Sequence, residues 1–273
     1  MILIDPAIDA FYSQSAEDAR LTMGLGPLEF ERNKELISRY LPGDKCLVAD
    51  VGGGVGHYAQ WLAGLGHQVI LIDPVAKHIK QAERRSKQGK PFNSIQGEAK
   101  RLPLDDHSAD VVIMHGPLYH LQDEADRIAA IKEARRVLKI NGVVLAFAIT
   151  RPAATLAALQ NGMLHQPDVF AMCRQELQSG EHHPPARFPG MLTSAYFHRP
   201  AELIHEFEAV GFEALDLLAV EGMAWMDGQY FQSWASPEKR QRLLELIRLT
   251  EKDSHLLCLS PHMMLAATLN WDS

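Results

Sequence analysis

Residues 48–56 read Val-Ala-Asp-Val-Gly-Gly-Gly-Val-Gly, a short apolar run that ends in Asp50 and opens directly into a glycine loop. Tyr58, Trp61, Leu62 and Leu65 follow at i, i+3, i+4 and i+7, the spacing of an amphipathic helix. Strand, glycine turn and helix in that order let backbone approach a charged ligand closely. The glycines carry no Cβ, and the new helix offers unpaired N–H groups at its positive end. The stretch therefore predicts a cofactor site at the start of an α/β fold.

The register of the glycines narrows the cofactor. Gly54, Gly56 and Ala59 fit the dinucleotide spacing G-x-G-x-x-A, which places a pyrophosphate on the helix N-terminus. The longer pattern Asp50-x-Gly52-x-Gly54-x-Gly56 instead resembles motif I of the class I S-adenosylmethionine-dependent methyltransferases. That resemblance sets the Asp50 carboxylate beside the ammonium group of a methionine moiety, where it makes sense, whereas beside a pyrophosphate it makes little. Downstream, Gln68 to Ile72 is an apolar run ending at Asp73, 17 residues after Gly56. A carboxylate at the tip of a second strand can accept both ribose hydroxyls in a methyltransferase or a dehydrogenase; the plainer role is a helix cap ahead of Pro74. Phe92 to Gln96 predicts a third strand, and Gly97-Glu98-Ala99 resembles the Gly-Asp-Ala segment of small-molecule methyltransferases. This implies Glu98, in place of the commoner Asp, near the adenine amino group, with Ala99 beside it.

Asp110 to Met114 predicts a fourth strand, followed by His115-Gly116-Pro117-Leu118-Tyr119-His120-Leu121. The next helix carries Ile128, Ile131, Ala134 and Leu138 on one face and is expected to stop at Asn141-Gly142. Val143 to Ile149, nearly all apolar, suits a buried parallel strand. Ala214 to Val220 and Met263 to Leu269 complete the strands, with a helix begun by Ser236-Pro237-Glu238 between them. The expected fold is a doubly wound, seven-stranded, mostly parallel α/β sheet, the Rossmann-like methyltransferase fold. The resemblance, to the UbiE-like (type 11) branch, covers about residues 46–150. Four parts follow: an N-terminal helical cap (1–45), the cofactor-binding core (46–150), a lid or acceptor-binding insert (151–198) and a C-terminal completion of the sheet (199–273).

Composition excludes several alternatives. The net charge of −7 disfavours a nucleic-acid backbone as substrate, and the Asn/Asp-Pro-Pro-Tyr signature of base-amino methyltransferases is missing after strand four. Cys46, Cys173 and Cys258 are far apart and follow no metal or redox spacing, as in a reduced cytoplasm. The start of the chain shows neither a basic leader nor a long apolar run, so no membrane partner is expected. His182 and His183 are adjacent and lack the spacing of a zinc motif, so no metal is expected. The other histidines are expected at the surface. The anticipated partner is a small-molecule methyl acceptor, with a homodimer left open.

Candidate site residues follow from position. Ahead of the core, Tyr12 is expected to close the pocket, and Arg20 to meet the methionine carboxylate or else to pair with Glu17 at i, i+3. Together with Asp50, Gly52, Gly54, Gly56, Asp73, Glu98, Ala99 and His115, these form the expected cofactor set. Methyl transfer from a sulfonium needs alignment, exclusion of water and, for an O–H or N–H acceptor, removal of a proton. His115 is the candidate base, since an imidazole titrates near neutrality, and Tyr119 the candidate shaper of the methyl channel. Tyr119, His120, Tyr196 and His198 are the expected acceptor contacts, the last two if the insert folds back. A nicotinamide-dependent oxidoreductase and a non-catalytic nucleotide-binding protein remain the alternatives.

Overall fold

Seven strands align in one sheet because apolar strands separated mostly by helices can bury both faces only when the helices pack on both sides of them. The computed structural model describes residues 4, 6–14, 17–188 and 191–269. The strands are β1 (Leu47–Val51), β2 (Gln68–Asp73), β3 (Asn93–Gln96), β4 (Ala109–Met114), β5 (Leu138–Ile149), β6 (Phe212–Ala219) and β7 (His262–Leu269). Their order is β3-β2-β1-β4-β5-β7-β6. The first five run parallel, while β7 is antiparallel to both β5 and β6. The expected seven-stranded, mostly parallel sheet is thus the observed one.

The helices are α1 (Pro6–Gln14), α2 (Glu17–Arg20), α3 (Gly26–Ser38), α4 (His57–Gly64), α5 (Ala76–Gln88), α6 (Pro117–His120), α7 (Glu124–Val137), α8 (Ala153–Gln160), α9 (Pro167–Ser179), α10 (Pro200–Glu208), α11 (Tyr230–Ala235) and α12 (Pro237–Thr250). One face of the sheet packs Ile131, Ala134, Leu203 and Phe207 from α7 and α10. The other packs Leu36, Ile37, Ala59, Leu62 and Ala82 from α3, α4 and α5.

The helix after β4 ends earlier than its sequence suggests. It stops at Val137, and Leu138 is already extended and paired with Ala109. Asn141, at φ 63°, and Gly142 make a bend within β5, where the register against β4 shifts. A Cβ on Gly142 would lie 2.9 Å from the Asp110 carbonyl oxygen, so the close strand crossing requires glycine there. Strand pairing overrides the local stop signal.

Because β7 runs against β5, its first residue, His262, sits opposite Ile149 at the carboxyl edge of the parallel strands. In open α/β sheets that edge is where ligands bind. Among the described residues no helix is long and apolar enough to cross a membrane.

Candidate active site

A cavity of about 340 Å³ opens along the carboxyl edge, within the range of small-molecule sites. Gly52–Val55, Asp73, Glu98, Ala99 and His115 from the tips of β1 to β4 line one end. Ile8, Tyr12, Glu17, Arg20, Glu29 and Asn33 from the N-terminal helices cover it, and Phe147 and His262 close the other end.

At the first end the glycine loop does two jobs. Gly52 (φ +77°) has room only for hydrogen, since a Cβ would lie 2.0 Å from the His115 carbonyl oxygen. Gly54 (φ +57°) faces open space, where its backbone is accessible to a ligand. The Asp73 carboxylate accepts the N–H of Gly54 at 2.9 Å and that of Val75 at 2.9 Å, and it meets His78 Nδ1 at 3.0 Å. Three of its roughly four acceptor sites are thus in use. The capping role and a ligand role coexist, and the carboxylate pins the loop as well as facing the cavity.

Asp50 lies fully buried beneath the loop, within 2.5 Å of where a Cβ on Gly53 would stand, and does not line the cavity. Neither carboxylate oxygen has a hydrogen-bond partner among the described residues, and His115 Nδ1 is 3.9 Å away. A buried, unpaired carboxylate is costly without a nearby cation, and an incoming positive charge would relieve it. Gly56, the left-handed N-cap of α4, packs against Phe92 and Ala82 instead of the cavity. Ala59 is fully buried in the core. The dinucleotide register Gly54, Gly56, Ala59 is therefore not the one the cavity follows.

The middle of the cavity is aromatic. The His115 ring is stacked between Tyr58 at 4.3 Å and Phe147 at 4.0 Å, and both ring nitrogens lack a partner among the described residues. Tyr12 closes the far side, its hydroxyl 2.7 Å from His120 Nε2. Burial holds His120 neutral, lowering it to about 4, and pushes the Tyr12 and Tyr119 phenols well up. His120 thus buttresses the cover through Tyr12. Tyr119 lines the cavity with one side and packs on the Ile149, Ala195 and Phe197 cluster with the other.

The second end holds a chain of charges. Arg20 bonds Glu17 at 2.6 Å, the expected i, i+3 pair, and also Glu29 at 2.7 Å, a partner the sequence did not suggest. Burial raises Glu29, but Arg20 outweighs this and holds it below the usual carboxylate range. Opposite stands His262, whose Nδ1 is 2.6 Å from Glu221 Oε1. Glu221 also accepts the Ser260 hydroxyl at 3.0 Å and the His262 backbone N–H at 3.1 Å. Burial pushes the His262 imidazolium down, yet Glu221 and then Glu29 raise it to about 9. Ligand atoms of Glu29, Glu221 and His262 lie within 4.8 Å of one another. Arg20 already pairs with Glu29 and the His262 imidazolium with Glu221, so a divalent ion would have to displace both cationic partners.

Tyr196 and His198, expected to contact the acceptor, are elsewhere. His198 is fully buried, with Nε2 3.2 Å from Glu206; Arg127 bonds the other oxygen of Glu206 at 2.8 Å and stacks 3.8 Å over the Tyr196 ring. Arg127 also donates to the carbonyls of Leu121 and Gln122. This knot ties the loop after β4 to the returning insert. Among the described residues, 151–198 contribute nothing to the cavity lining. α8 instead packs on Leu28 and Trp225, and α9 on residues of the insert itself, where Met163, Leu164, Met172 and Phe188 form a cluster. Pro189 and Gly190 of that insert lie outside the described residues. Nor are the remaining histidines all at the surface: His78 is buried on Asp73, and His182 on Glu176 at 2.5 Å.

Sequence reasoning missed Glu29, Asn33, Tyr58, Phe147, Glu221 and His262. Asn33, buried in α3, donates to the Tyr58 hydroxyl at 2.8 Å. One signal was available for His262: the last strand of such a sheet is antiparallel, so its first residue must arrive at the ligand edge.

Comparison with known proteins gives the same direction. Residues 49–146 match the model of a family described as a methyltransferase domain. An uncharacterized methyltransferase of Mycobacterium tuberculosis is 30% identical over 133 residues, 47% of this chain and 52% of the relative. A demethylmenaquinone methyltransferase of Staphylococcus carnosus is 30% identical over 134 residues, 46% and 54% respectively. The chain thus spans about half the length of the curated relatives it matches. Among solved structures, the PH0226 protein of Pyrococcus horikoshii superposes with a TM-score of 0.64 at 17% identity, over 96% of this chain and 99% of that one. A SAM-dependent methyltransferase of Methanosarcina mazei gives 0.60 at 20% identity, over 86% and 98%.

Proposed function

We propose that this protein, whose residues 49–146 match a methyltransferase-domain family and whose fold is shared with S-adenosylmethionine-dependent methyltransferases, transfers a methyl group to a small-molecule acceptor. The observation that carries the reading is the single cavity joining Gly52–Gly54, Asp73 and Glu98 at one end to an aromatic and charged chamber at the other. The residues fit the cofactor. The open face of Gly54 admits close backbone contact, the last free acceptor site of Asp73 suits a ribose hydroxyl, and Glu98 with Ala99 suits adenine. The orphaned Asp50 carboxylate favours the positive methionine end. When bound, the cofactor supplies an electrophilic methyl on a sulfonium whose leaving group is a neutral thioether.

The chain's own contribution is position and dryness. Tyr12, Ile8 and Arg20 cover the chamber and exclude water, while His115, held flat between Tyr58 and Phe147, forms its floor with Tyr119 beside it. Clamped on two faces, His115 is better suited to shape the methyl channel than to swing toward a proton. The negative net charge and the enclosed chamber favour a small acceptor over a nucleic acid.

Calorimetry with S-adenosylmethionine, S-adenosylhomocysteine and the nicotinamide dinucleotides tests the reading. The first two are expected to bind at one site per chain. Binding of the dinucleotides alone would falsify it in favour of an oxidoreductase.

A further inference from the structure

Of the charged groups at the acceptor end, His262 alone among the described residues combines an oriented ring with a free edge. Its Nδ1 is fixed by Glu221, and its side chain is 29% exposed toward the cavity it lines. Nε2 makes no hydrogen bond among the described residues. Glu221 is 2% exposed and cannot drift, because Ser260 Oγ accepts its backbone N–H and that of Gly222 at 3.0 Å each and donates back to its carboxylate. The fully buried Arg32 holds the preceding carbonyl, that of Val220, at 3.0 Å. A carboxylate that orients an imidazole, with the opposite nitrogen facing a substrate chamber, is the geometry of a general base.

We propose that His262 accepts the acceptor's proton during methyl transfer, with Glu221 as its positioning residue, and that the acceptor therefore presents a proton-bearing oxygen or nitrogen. This inference rests on the methyltransferase reading. The step balances. The acceptor's lone pair forms the bond to the methyl carbon, the carbon–sulfur pair stays on sulfur, and the acceptor's proton moves to Nε2. The positive charge that leaves the sulfonium reappears on the imidazolium, where Glu221 and Glu29 stabilise it. A carboxylate or a carbon nucleophile without such a proton would have no use for the dyad.

The charged groups that face His262 are Glu221 from the turn after β6, Glu29 from α3 and Arg20 from α2. The two carboxylates outweigh the guanidinium, so the ring is protonated at neutral pH and becomes a competent base as the pH rises toward 9. Two readouts test this. In the histidine-ring NMR titration of the full chain without ligand, His262 should titrate near 9, and Glu221→Gln should bring it down toward the ordinary value of about 6.5. Methyl transfer from labelled S-adenosylmethionine to a panel of phenols, alcohols and amines should accelerate with pH over the same range. His262→Gln should lose that rise and about 10²–10⁴-fold in kcat, while its affinity for S-adenosylmethionine, read by calorimetry, changes less than about threefold. Glu221→Asp should restore part of the rate that Glu221→Gln loses.

An ordinary His262 titration in the wild type, or a pH rise that survives in His262→Gln, overturns the dyad. If no panel member turns over, the ring titration decides. A wild-type chain that binds no S-adenosylmethionine overturns the methyltransferase reading itself. A wild type that transfers methyl no faster than His262→Gln overturns the dyad alone.

Discussion

Two histidine–glutamate pairs stand at the same edge of the sheet and are held in opposite states. His262 and Glu221 meet at 2.6 Å beside an open chamber, and the imidazole is raised to about 9. His198 and Glu206 meet at 3.2 Å with His198 fully buried, and there burial outweighs the carboxylate and lowers the imidazole. The partners account for the difference. Arg127 already neutralises Glu206, whereas Glu221 gives its charge to His262 and a second carboxylate, Glu29, faces the ring. Sharing the carboxylate with a permanent cation makes a stitch. Leaving it to the imidazole, with one ring edge open, makes a site.

The contrast breaks most visibly in stability. Arg127→Ala should cost about 3–5 kcal/mol in urea unfolding, because Glu206 would be left buried without its cation. A loss below about 1 kcal/mol would mean the knot does not hold the insert, and the division between stitch and site would fail.

On the cavity side, Asp73→Ala should weaken S-adenosylmethionine binding by about 1.5–3 kcal/mol, the scale of hydrogen bonds to a charged group. Since the same carboxylate holds Gly54 and Val75, part of that loss should appear as a looser glycine loop, visible in amide exchange at residues 52–55. Unchanged affinity in a folded variant would reduce Asp73 to its turn.

The two pairs should also divide the pH dependence of stability. For His262 the folded value lies above the unfolded one, so its contribution is complete below about 6.5 and is lost as pH rises through about 9. For His198 the folded value is depressed, so its contribution is present above about 6.5 and is lost as pH falls. Urea midpoints measured across pH should flatten on the alkaline side in His262→Gln and lose an acid-side slope in His198→Gln. The reverse assignment would show that the partners have been misjudged.

The smallest effect separates the insert from the chamber. Tyr196→Phe loses hydroxyl contacts to Arg151 at 3.2 Å and Glu202 at 3.3 Å, worth about 1 kcal/mol of stability together. It should leave S-adenosylmethionine affinity and methyl-transfer kinetics unchanged. A kinetic effect would return the insert to the role of acceptor lid.

The sequence by itself determined the sheet and most of the residues at the glycine-loop end of its cavity. The glycines at 52 and 54, Asp73 and Glu98 each sit at or just past the end of a strand read from a local pattern, and strand tips in a parallel sheet share one edge whatever lies between them. Local signals of that kind survive folding because period and punctuation act over a few residues. What only the tertiary structure decided is everything set by contacts distant in sequence. The bend at Asn141-Gly142 belongs to β5 because β4 pairs across it. Tyr196 and His198 join a knot because Arg127 and Glu206 arrive there from α7 and α10. Glu29 and His262, 233 residues apart in the chain, share one chamber because an antiparallel final strand begins beside an N-terminal helix. No periodicity within either segment carries that meeting; the energy that fixes it lies in burying both faces of the sheet.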